Sequence, residues 1–278
     1  MRHFDTEWQT SDGATLYAQG WEPEQKPVAV ICMIHGLGEH FGRYRHLAEF
    51  LTDHGFAYVG VDLRGHGKTP GQRGYVPSFN AFMQDISLLL DQVGIRYPSL
   101  PKFLYGHSLG GILVLNYCLR KTPDLAGVIV TSPGLRNALE EQTAKVAFAN
   151  IAGTILPRIS LPSGLDTSGL SRNPEIARAY LEDPLVHDRA TLRMAKETLA
   201  AIPYIFENAK DFHYPLLLMH GTADRLAYAR GSQEFAGLAI QAEIDLKLWE
   251  GAYHELHNEL EKDQVFDYLL QWLQMRLK

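Results

Sequence analysis

Short, uninterrupted runs of apolar and β-branched residues recur along this chain, and they constrain its fold more than any other feature. Two such runs are Val28–Ile34 (VAVICMI) and Phe56–Leu63 (FAYVGVDL). A strand that is apolar on both faces has to be covered on both faces, as in a parallel sheet. Segments with helical spacing of apolar residues, such as Phe79–Ile95, alternate with these runs. The alternation predicts an α/β protein with a mostly parallel central sheet and helices on both faces.

The same pattern divides the chain into a core and an insertion. Further strands are predicted at Lys102–Tyr105, Gly127–Val130, Pro215–His220 and Ile244–Trp249, with a hairpin at Thr6–Tyr17 and a final amphipathic helix at Leu256–Leu277. Between residues 134 and 214 only helical stretches broken by prolines occur, and no convincing strand. We therefore predict a core formed by residues 1–133 and 215–278, with a helical cap inserted at residues 134–214.

Composition excludes several classes of function. The net charge of −6 disfavours nucleic acid as a partner, because phosphate binding needs a basic surface. The two cysteines, Cys32 and Cys118, fall in predicted elements and are expected to be free, buried thiols. No cysteine spacing typical of a metal site occurs, and neither a metal nor a cofactor is expected. The polar segment Met1–Trp8 and the lack of a run near ~18 apolar residues favour a cytoplasmic location.

A glycine-flanked serine carries the strongest chemical signal. Gly106-His107-Ser108-Leu109-Gly110 lies between a predicted strand and a predicted helix, which is the context of a nucleophile elbow. Such a sharp turn strains the serine backbone, and the glycines let neighbouring backbone approach without a Cβ clash. The helix N-terminus favours developing negative charge. Ser108 is therefore the predicted nucleophile, the alternative being a simple glycine-rich connection.

An acid and a base for this serine are predicted from their position in the chain. In the order typical of an elbow, the acid and then the histidine each follow a later strand. Asp224 lies four residues past His220, and His254 lies five residues past Trp249, so these two are the predicted acid and base. Asp245, inside a strand, and His257, on the final helix, are the rivals, and we expect both at the surface.

An oxyanion hole needs two backbone N–H donors directed at the developing charge. One is expected from Leu109, the residue after the nucleophile, and the other from Leu37 in the loop after the first long strand. The alternative is that this loop is a simple glycine turn. The remaining histidines at strand ends and turns are interpreted as hydrogen-bonding residues, among them His35, His66, His107 and His220.

Several motifs together resemble one known family. They are His35-Gly36-Leu37-Gly38-Glu39-His40, Arg43-Tyr44, Asp62–Thr69 (DLRGHGKT), Gly106–Gly111, Asp224-Arg225-Leu226 and Tyr253–Glu259 (YHELHNE). Over nearly the whole chain this set resembles the monoacylglycerol lipase and lysophospholipase family of α/β-hydrolases. The resemblance implies the α/β-hydrolase fold and hydrolysis of an ester bond in a single-chain lipid. It assigns Ser108, Asp224 and His254 as the triad and Leu37 and Leu109 as the oxyanion donors. Residues 64–69 are interpreted as structural.

The resemblance leaves the substrate open. A monoacylglycerol lipase, a lysophospholipase and a broader carboxylesterase would differ in the dimensions of the cap. A non-catalytic binding protein of this fold is disfavoured because every predicted triad residue is present. Haloalkane dehalogenases and epoxide hydrolases carry a carboxylate at the elbow, where this chain has Ser108.

Apolar residues at helical spacing run through the predicted cap, at Phe148, Ile151, Ala152, Ile155, Leu156 and Ile159. One interpretation buries this face against the core. Our hypothesis is that Phe148, Ile151 and Ile155 line an acyl tunnel and that the edge of the face contacts a membrane surface transiently. The expected partners are a lipid ester substrate and a bilayer.

Overall fold

A central sheet organises the protein, whose computed structural model describes residues 1–137 and 151–277. The strands in these residues are β1 (Arg2–Gln9), β2 (Thr15–Glu22), β3 (Ala29–Ile34), β4 (Phe56–Val61), β5 (Lys102–His107), β6 (Gly127–Thr131), β7 (Ser160–Pro162), β8 (Arg189–Thr191), β9 (Leu216–Gly221) and β10 (Ile244–Trp249). Eight of them form one sheet in the order β1-β2-β4-β3-β5-β6-β9-β10. From β4 to β10 every neighbouring pair is parallel, and the β1–β2 hairpin joins one edge antiparallel. The predicted fold class is confirmed.

Helices cover both faces of the sheet. The helices in the described residues are α1 (Arg45–Asp53), α2 (Phe79–Arg96), α3 (Leu109–Lys121), α4 (Pro174–Glu182), α5 (Leu192–Asn208), α6 (Ala229–Leu238) and α7 (Lys262–Met275), and residues 151–155 are helical as well. Alternate β3 side chains enter different clusters: Val30 and Cys32 pack with α2, α3 and α6, whereas Ile31 and Met33 pack with α1 and α7. This two-sided burial explains why the sequence shows continuous rather than alternating apolar runs.

Two features of the chain differ from the sequence prediction. Residues 151–155 and α4 and α5 are helical, but β7 and β8 form a small antiparallel sheet where no strand was expected. Each strand has three residues and one contains Pro162, so neither gives a periodic signal. The predicted final helix is also divided: a 3-10 turn at Leu256–Asn258 precedes α7.

The expectation for the two cysteines is confirmed. Cys32 and Cys118 are free and buried, and burial raises the pKa of the Cys32 thiol to about 12. Among the described residues, no helix combines the length and the apolar character that a bilayer crossing requires.

Candidate active site

The turn from β5 into α3 forces Ser108 into an unusual backbone conformation. Its φ of 54° and ψ of −113° lie where side-chain-bearing residues are rare. The turn is tight because glycine flanks it: a Cβ at Gly110 would overlap the carbonyl oxygen of Ile34, and a Cβ at Gly106 would overlap that of Gly110. The Ser108 N–H donates to the Thr131 carbonyl at 3.0 Å, which ties the turn to β6. The hydroxyl is therefore presented at the carboxyl edge of the sheet.

The three predicted catalytic side chains form one hydrogen-bonded line. The Ser108 hydroxyl lies 2.9 Å from His254 Nε2, and His254 Nδ1 lies 2.7 Å from Asp224 Oδ2. A carboxylate oxygen only accepts, so His254 Nδ1 carries the proton and Nε2 is left to accept from the serine. Ser108, Asp224 and His254 follow the carboxyl ends of three parallel strands, β5, β9 and β10, which meet at one edge of the sheet.

Neighbouring charges and hydrogen bonds lower the pKa of Asp224 and raise the pKa of His254. Burial alone would raise the pKa of Asp224, but the charge of His254 and the hydrogen bonds from His220 and His254 outweigh it and lower that pKa. Burial alone would lower the pKa of His254, but the Asp224 carboxylate outweighs it and raises that pKa, with smaller contributions from Glu255 and Glu39. Asp224 is thus ionised, and His254 is set to exchange a proton.

Neither rival residue takes the place of Asp224 or His254. Asp245 is half-buried on β10 and accepts a 2.9 Å hydrogen bond from the Tyr268 hydroxyl. The expectation that His257 lies at the surface was wrong: it is 1% exposed and stacks on Tyr44 with ring centroids 4.4 Å apart. It is buried because the chain makes a 3-10 turn there, under the sheet edge, and the helix begins only at Lys262.

The loop after β3 packs directly on the elbow. A Cβ at Gly36 would lie 3.2 Å from Ser108 Cβ, so only glycine allows this approach without displacement. The carboxylate of Glu39 fixes the loop, since its Oε1 accepts from the Gly36 N–H at 2.7 Å and from the Tyr44 hydroxyl at 2.8 Å. Leu37, from this loop, and Leu109, at the start of α3, both line the cavity in front of Ser108.

A buried ion cluster lies behind this loop. Arg43 Nη1 contacts the carboxylates of Glu39 and Glu255, each at 2.6 Å, and its guanidinium lies 4.7 Å from the ring centroid of Tyr180. Burial raises the pKa of Glu39, whereas the Arg43 charge and hydrogen bonds overcome burial and lower the pKa of Glu255. Sequence reasoning assigned no role to these residues, although three of them lie in the quoted motifs.

A cavity of about 580 Å³ opens onto Ser108 and has both polar and apolar lining residues. Glu39, Tyr180 and Glu255, which surround Arg43, are among the polar ones. The apolar walls come mainly from α3, α5 and two loops, through Leu109, Ile112, Leu165, Leu170, Met194, Leu199, Ile202 and Leu226. The volume falls in the usual range for a small-molecule site.

Two of the three cap residues predicted to bind substrate do not line this cavity, and the third is not described by the structure. Phe148 is outside the described residues. Ile151 and Ile155 are 65% and 70% exposed, and neither is among the described residues that line the cavity. Ala152, between them, is buried. Within residues 151–159, the apolar face is therefore neither buried as a whole nor part of the cavity wall, because Ile151, Ile155, Leu156 and Ile159 are exposed to solvent.

The remaining polar motif residues hold loops and strand ends. His35 Nε2 accepts from the Leu63 N–H at 2.9 Å, and His107 Nδ1 lies 3.0 Å from the Thr131 hydroxyl. Arg64 pairs with Asp12 and Asp85 at 2.7 Å each, which anchors the loop of residues 64–69. Within residues 1–137 and 151–277, no group of three or more His, Cys, Asp or Glu side chains is arranged to hold a metal ion.

The fold and the Ser–His–Asp arrangement define an α/β-hydrolase of the serine type. The family model "Serine aminopeptidase, S33" (Hydrolase_4) matches residues 25–261, and the chain belongs to this family. A human monoglyceride lipase is 35% identical over 96% of this chain and 89% of its own length. The crystal structure of a Paleococcus ferrophilus monoacylglycerol lipase is 33% identical, with a TM-score of 0.87 over 94% of this chain and 99% of that one.

A longer relative shares the same domain. An uncharacterized abhydrolase domain-containing protein of Dictyostelium discoideum is 37% identical over 97% of this chain, which spans 29% of that protein's length. These similarities confirm the resemblance inferred from the motifs. Together with the family match, the lipase relatives identify the chain as a carboxylic ester hydrolase.

Proposed function

We propose that this enzyme hydrolyses the ester bond of a monoacylglycerol-like, single-chain lipid, with Ser108 as nucleophile, His254 as general base and acid, and Asp224 as the residue that orients His254. The observation that carries the proposal is the continuous hydrogen-bonded line at 2.9 and 2.7 Å, which ends at the cavity. The human and Paleococcus ferrophilus relatives, named for monoglyceride and monoacylglycerol lipase activity, support the substrate class.

The proposed reaction has two halves. Ser108 Oγ bonds to the ester carbonyl carbon while His254 Nε2 takes the hydroxyl proton, and the N–H groups of Leu37 and Leu109 stabilise the oxyanion. The tetrahedral species collapses, His254 returns the proton to the leaving alcohol, and an acyl-enzyme remains. Water then attacks the acyl carbon, gives its proton to His254, and the second collapse releases the fatty acid and regenerates the serine.

Apolar and polar lining residues of the cavity suit the two parts of such a substrate. The apolar wall formed by Ile112, Met194 and Ile202 matches an acyl chain. Among the polar lining residues, the Tyr180 hydroxyl is buried and has no hydrogen-bond partner among the described residues. A free hydroxyl group of a polyol leaving group would satisfy this atom, which favours an ester of glycerol over an ester of a simple alcohol.

Ser108→Ala tests the nucleophile. We expect a loss of at least ~10³ in kcat with little change in stability, because the variant lacks the oxygen that forms the acyl-enzyme. A fluorophosphonate probe with peptide mapping should label Ser108 in the wild-type protein only. Turnover of the variant at the wild-type rate would end the assignment.

A substrate panel tests the lipid class separately. Rates are compared for monoacylglycerols, lysophosphatidylcholine and p-nitrophenyl esters of increasing chain length. The proposal requires the highest kcat/KM on a monoacylglycerol. Preference for lysophosphatidylcholine would make the enzyme a lysophospholipase, and equal rates on short simple esters would make it a broad carboxylesterase.

We also propose that residues 134–214 act as a cap over the core formed by residues 1–133 and 215–278, and that the cap collects substrate at a membrane surface. Ile151, Ile155, Leu156 and Ile159 support this, because these four large apolar side chains are between 44% and 70% exposed within nine residues. Burial in a bilayer interface removes such surface from water. A cytoplasmic location and the lack of nucleic-acid partners stay predictions from composition.

The membrane contact is tested with Ile151→Glu combined with Ile155→Glu. Sedimentation with phosphatidylcholine/phosphatidylglycerol vesicles should fall, and so should turnover of vesicle-borne monoacylglycerol, while turnover of a soluble short-chain ester stays unchanged. Ile95→Glu combined with Ile240→Glu is the matched control, since these isoleucines are 73% and 79% exposed and lie elsewhere. Equal vesicle binding by both double variants would contradict the proposal.

A further inference from the structure

Asp224 has a second histidine partner besides His254. His220 is the penultimate residue of β9, and its Nε2 lies 3.1 Å from Asp224 Oδ2, the same oxygen that faces His254 Nδ1. The side chains of His220 and Asp224 are both fully buried. The reaction proposed above uses Ser108, His254 and Asp224 but gives His220 no part.

The surroundings of His220 fix which of its nitrogens carries the proton. Nε2 lies 2.8 Å from the Ala227 carbonyl as well as 3.1 Å from the carboxylate, and both oxygens only accept, so Nε2 must donate. Nδ1 lies 2.7 Å from the hydroxyl of Ser232 on α6, which is able to donate to it. The three contacts are all made when Nε2–H is shared between the two oxygens and Nδ1 accepts from Ser232.

The two oxygens of Asp224 are therefore held by different sets of donors. Oδ1 accepts from the N–H groups of Leu226 at 2.8 Å and Ala227 at 3.0 Å. Oδ2 accepts from the two histidines. Without His220, Oδ2 would keep His254 alone, and the carboxylate would lose one of the four donors that hold it in the line that leads to Ser108.

We propose that His220 is a positioning residue for catalysis: its Nε2–H, held by Ser232 and Ala227, adds a second donor at Asp224 Oδ2 and limits the basicity that Asp224 confers on His254. This inference rests on the proposed function of the triad. Removing a donor from Oδ2 concentrates negative charge on the oxygen that faces His254. A more basic carboxylate makes the His254 imidazolium more stable, so the acid limb of kcat/KM should move to higher pH.

Other titratable groups near His254 also influence its pKa. The carboxylates of Glu39, in the loop after β3, and Glu255, in the turn after β10, raise it, and the ring of His107, on β5, lies with its centroid 4.9 Å from that of His254. None of the three is hydrogen-bonded to His220 in the described residues, so a change at His220 reaches His254 through Asp224.

The test compares four variants on a soluble p-nitrophenyl ester between pH 5 and 9. Glutamine places a donor near the histidine Nε2 position, and asparagine places one near Nδ1 instead. We expect His220→Leu and His220→Asn to lose about tenfold in kcat, as is typical when the hydrogen-bond partner of a functional side chain is removed. Both variants should also shift the acid limb of the pH profile upward by about half a pH unit. His220→Gln should restore the wild-type limb. Val265→Ala, buried in α7, should lower Tm and leave the limb in place.

A proton NMR spectrum and one further variant distinguish failure of this inference from failure of the proposed triad. The downfield resonance of the His254 Nδ1 proton should shift in His220→Asn and return in His220→Gln. If glutamine and asparagine variants behave alike, or if both keep the wild-type limb and resonance, the inference fails. Ser108→Ala, run in the same assay, distinguishes this from failure of the triad, because full activity in that variant would overturn the proposed function itself.

Discussion

At the scale of single residues, the hydrogen bonds of Asp224 predict what an amide would do in its place. In Asp224→Asn the backbone N–H groups of Leu226 and Ala227 demand an oxygen at the Oδ1 position. The amide NH₂ must then face His254 Nδ1, where a donor meets a donor and the imidazole is driven to the other tautomer. We expect kcat to fall by about 10⁴ with the fold intact. Single-turnover and steady-state rates on one ester would measure this, and a loss below tenfold would contradict it.

Single residues also show where sequence reasoning ends. The order Ser108, Asp224, His254 was predictable because each follows a strand, and parallel strands bring their carboxyl ends together. The pairing of Arg43 with Glu255, 212 positions apart, follows from the packing of two loops and from no local spacing. The contact of His220 with Asp224 spans four residues, but its geometry depends on Ser232 from a helix that the pattern does not orient.

At the scale of elements, the close approach of α3 to β3 makes glycine indispensable at one position. A methyl group in Gly110→Ala would overlap the Ile34 carbonyl oxygen, so α3 would have to move outward and carry the elbow with it. We expect a drop in Tm and a loss of at least ~10² in kcat, since a misplacement of about 1 Å at a reacting group costs that much.

Gly94→Ala is the matched control for this glycine. Gly94 lies within α2, and a Cβ there would meet nothing within 4 Å. The change should therefore stabilise the protein by about 0.5–1 kcal/mol through helix propensity and leave kcat unchanged. Thermal unfolding and ester turnover, measured on both variants, would refute the argument if the two substitutions had similar effects.

Among elements, the strands of the central sheet were predictable because burial on both faces leaves a continuous apolar signature. The pair β7–β8 left none, since three-residue strands are too short to show a period and their pairing joins positions about 30 residues apart. The prediction of one continuous helix at the end of the chain was wrong for a related reason. Residues 256–277 keep helical spacing of apolar residues, although residues 256–258 form a 3-10 turn and the helix begins only at Lys262.

At the scale of the whole molecule, buried neutral histidines predict its response to acid. Burial lowers the pKa of His35 and His107 well below the ordinary value and brings those of His66 and His257 to about 3. In the unfolded chain each would titrate near 6.5. Below that pH the unfolded state binds more protons than the folded state, so the free energy of unfolding falls as pH falls. His254 acts in the opposite sense, because its folded pKa is raised, and offsets part of the loss.

The size of this effect makes it measurable on one residue. Between pH 7 and pH 5 each such histidine should cost about 2 kcal/mol of unfolding free energy, out of a total of about 5–15 kcal/mol for a typical domain. In His66→Asn the amide can replace Nδ1, which contacts the Arg64 carbonyl at 2.9 Å, without a group that titrates. Urea unfolding should therefore show a pH 7 to pH 5 difference about 2 kcal/mol smaller than in the wild type. His213→Asn, at an exposed position, should keep the wild-type difference. Parallel stability curves for the wild type and His66→Asn would mean that His66 is not held neutral by burial, and the acid sensitivity of the molecule would need another source.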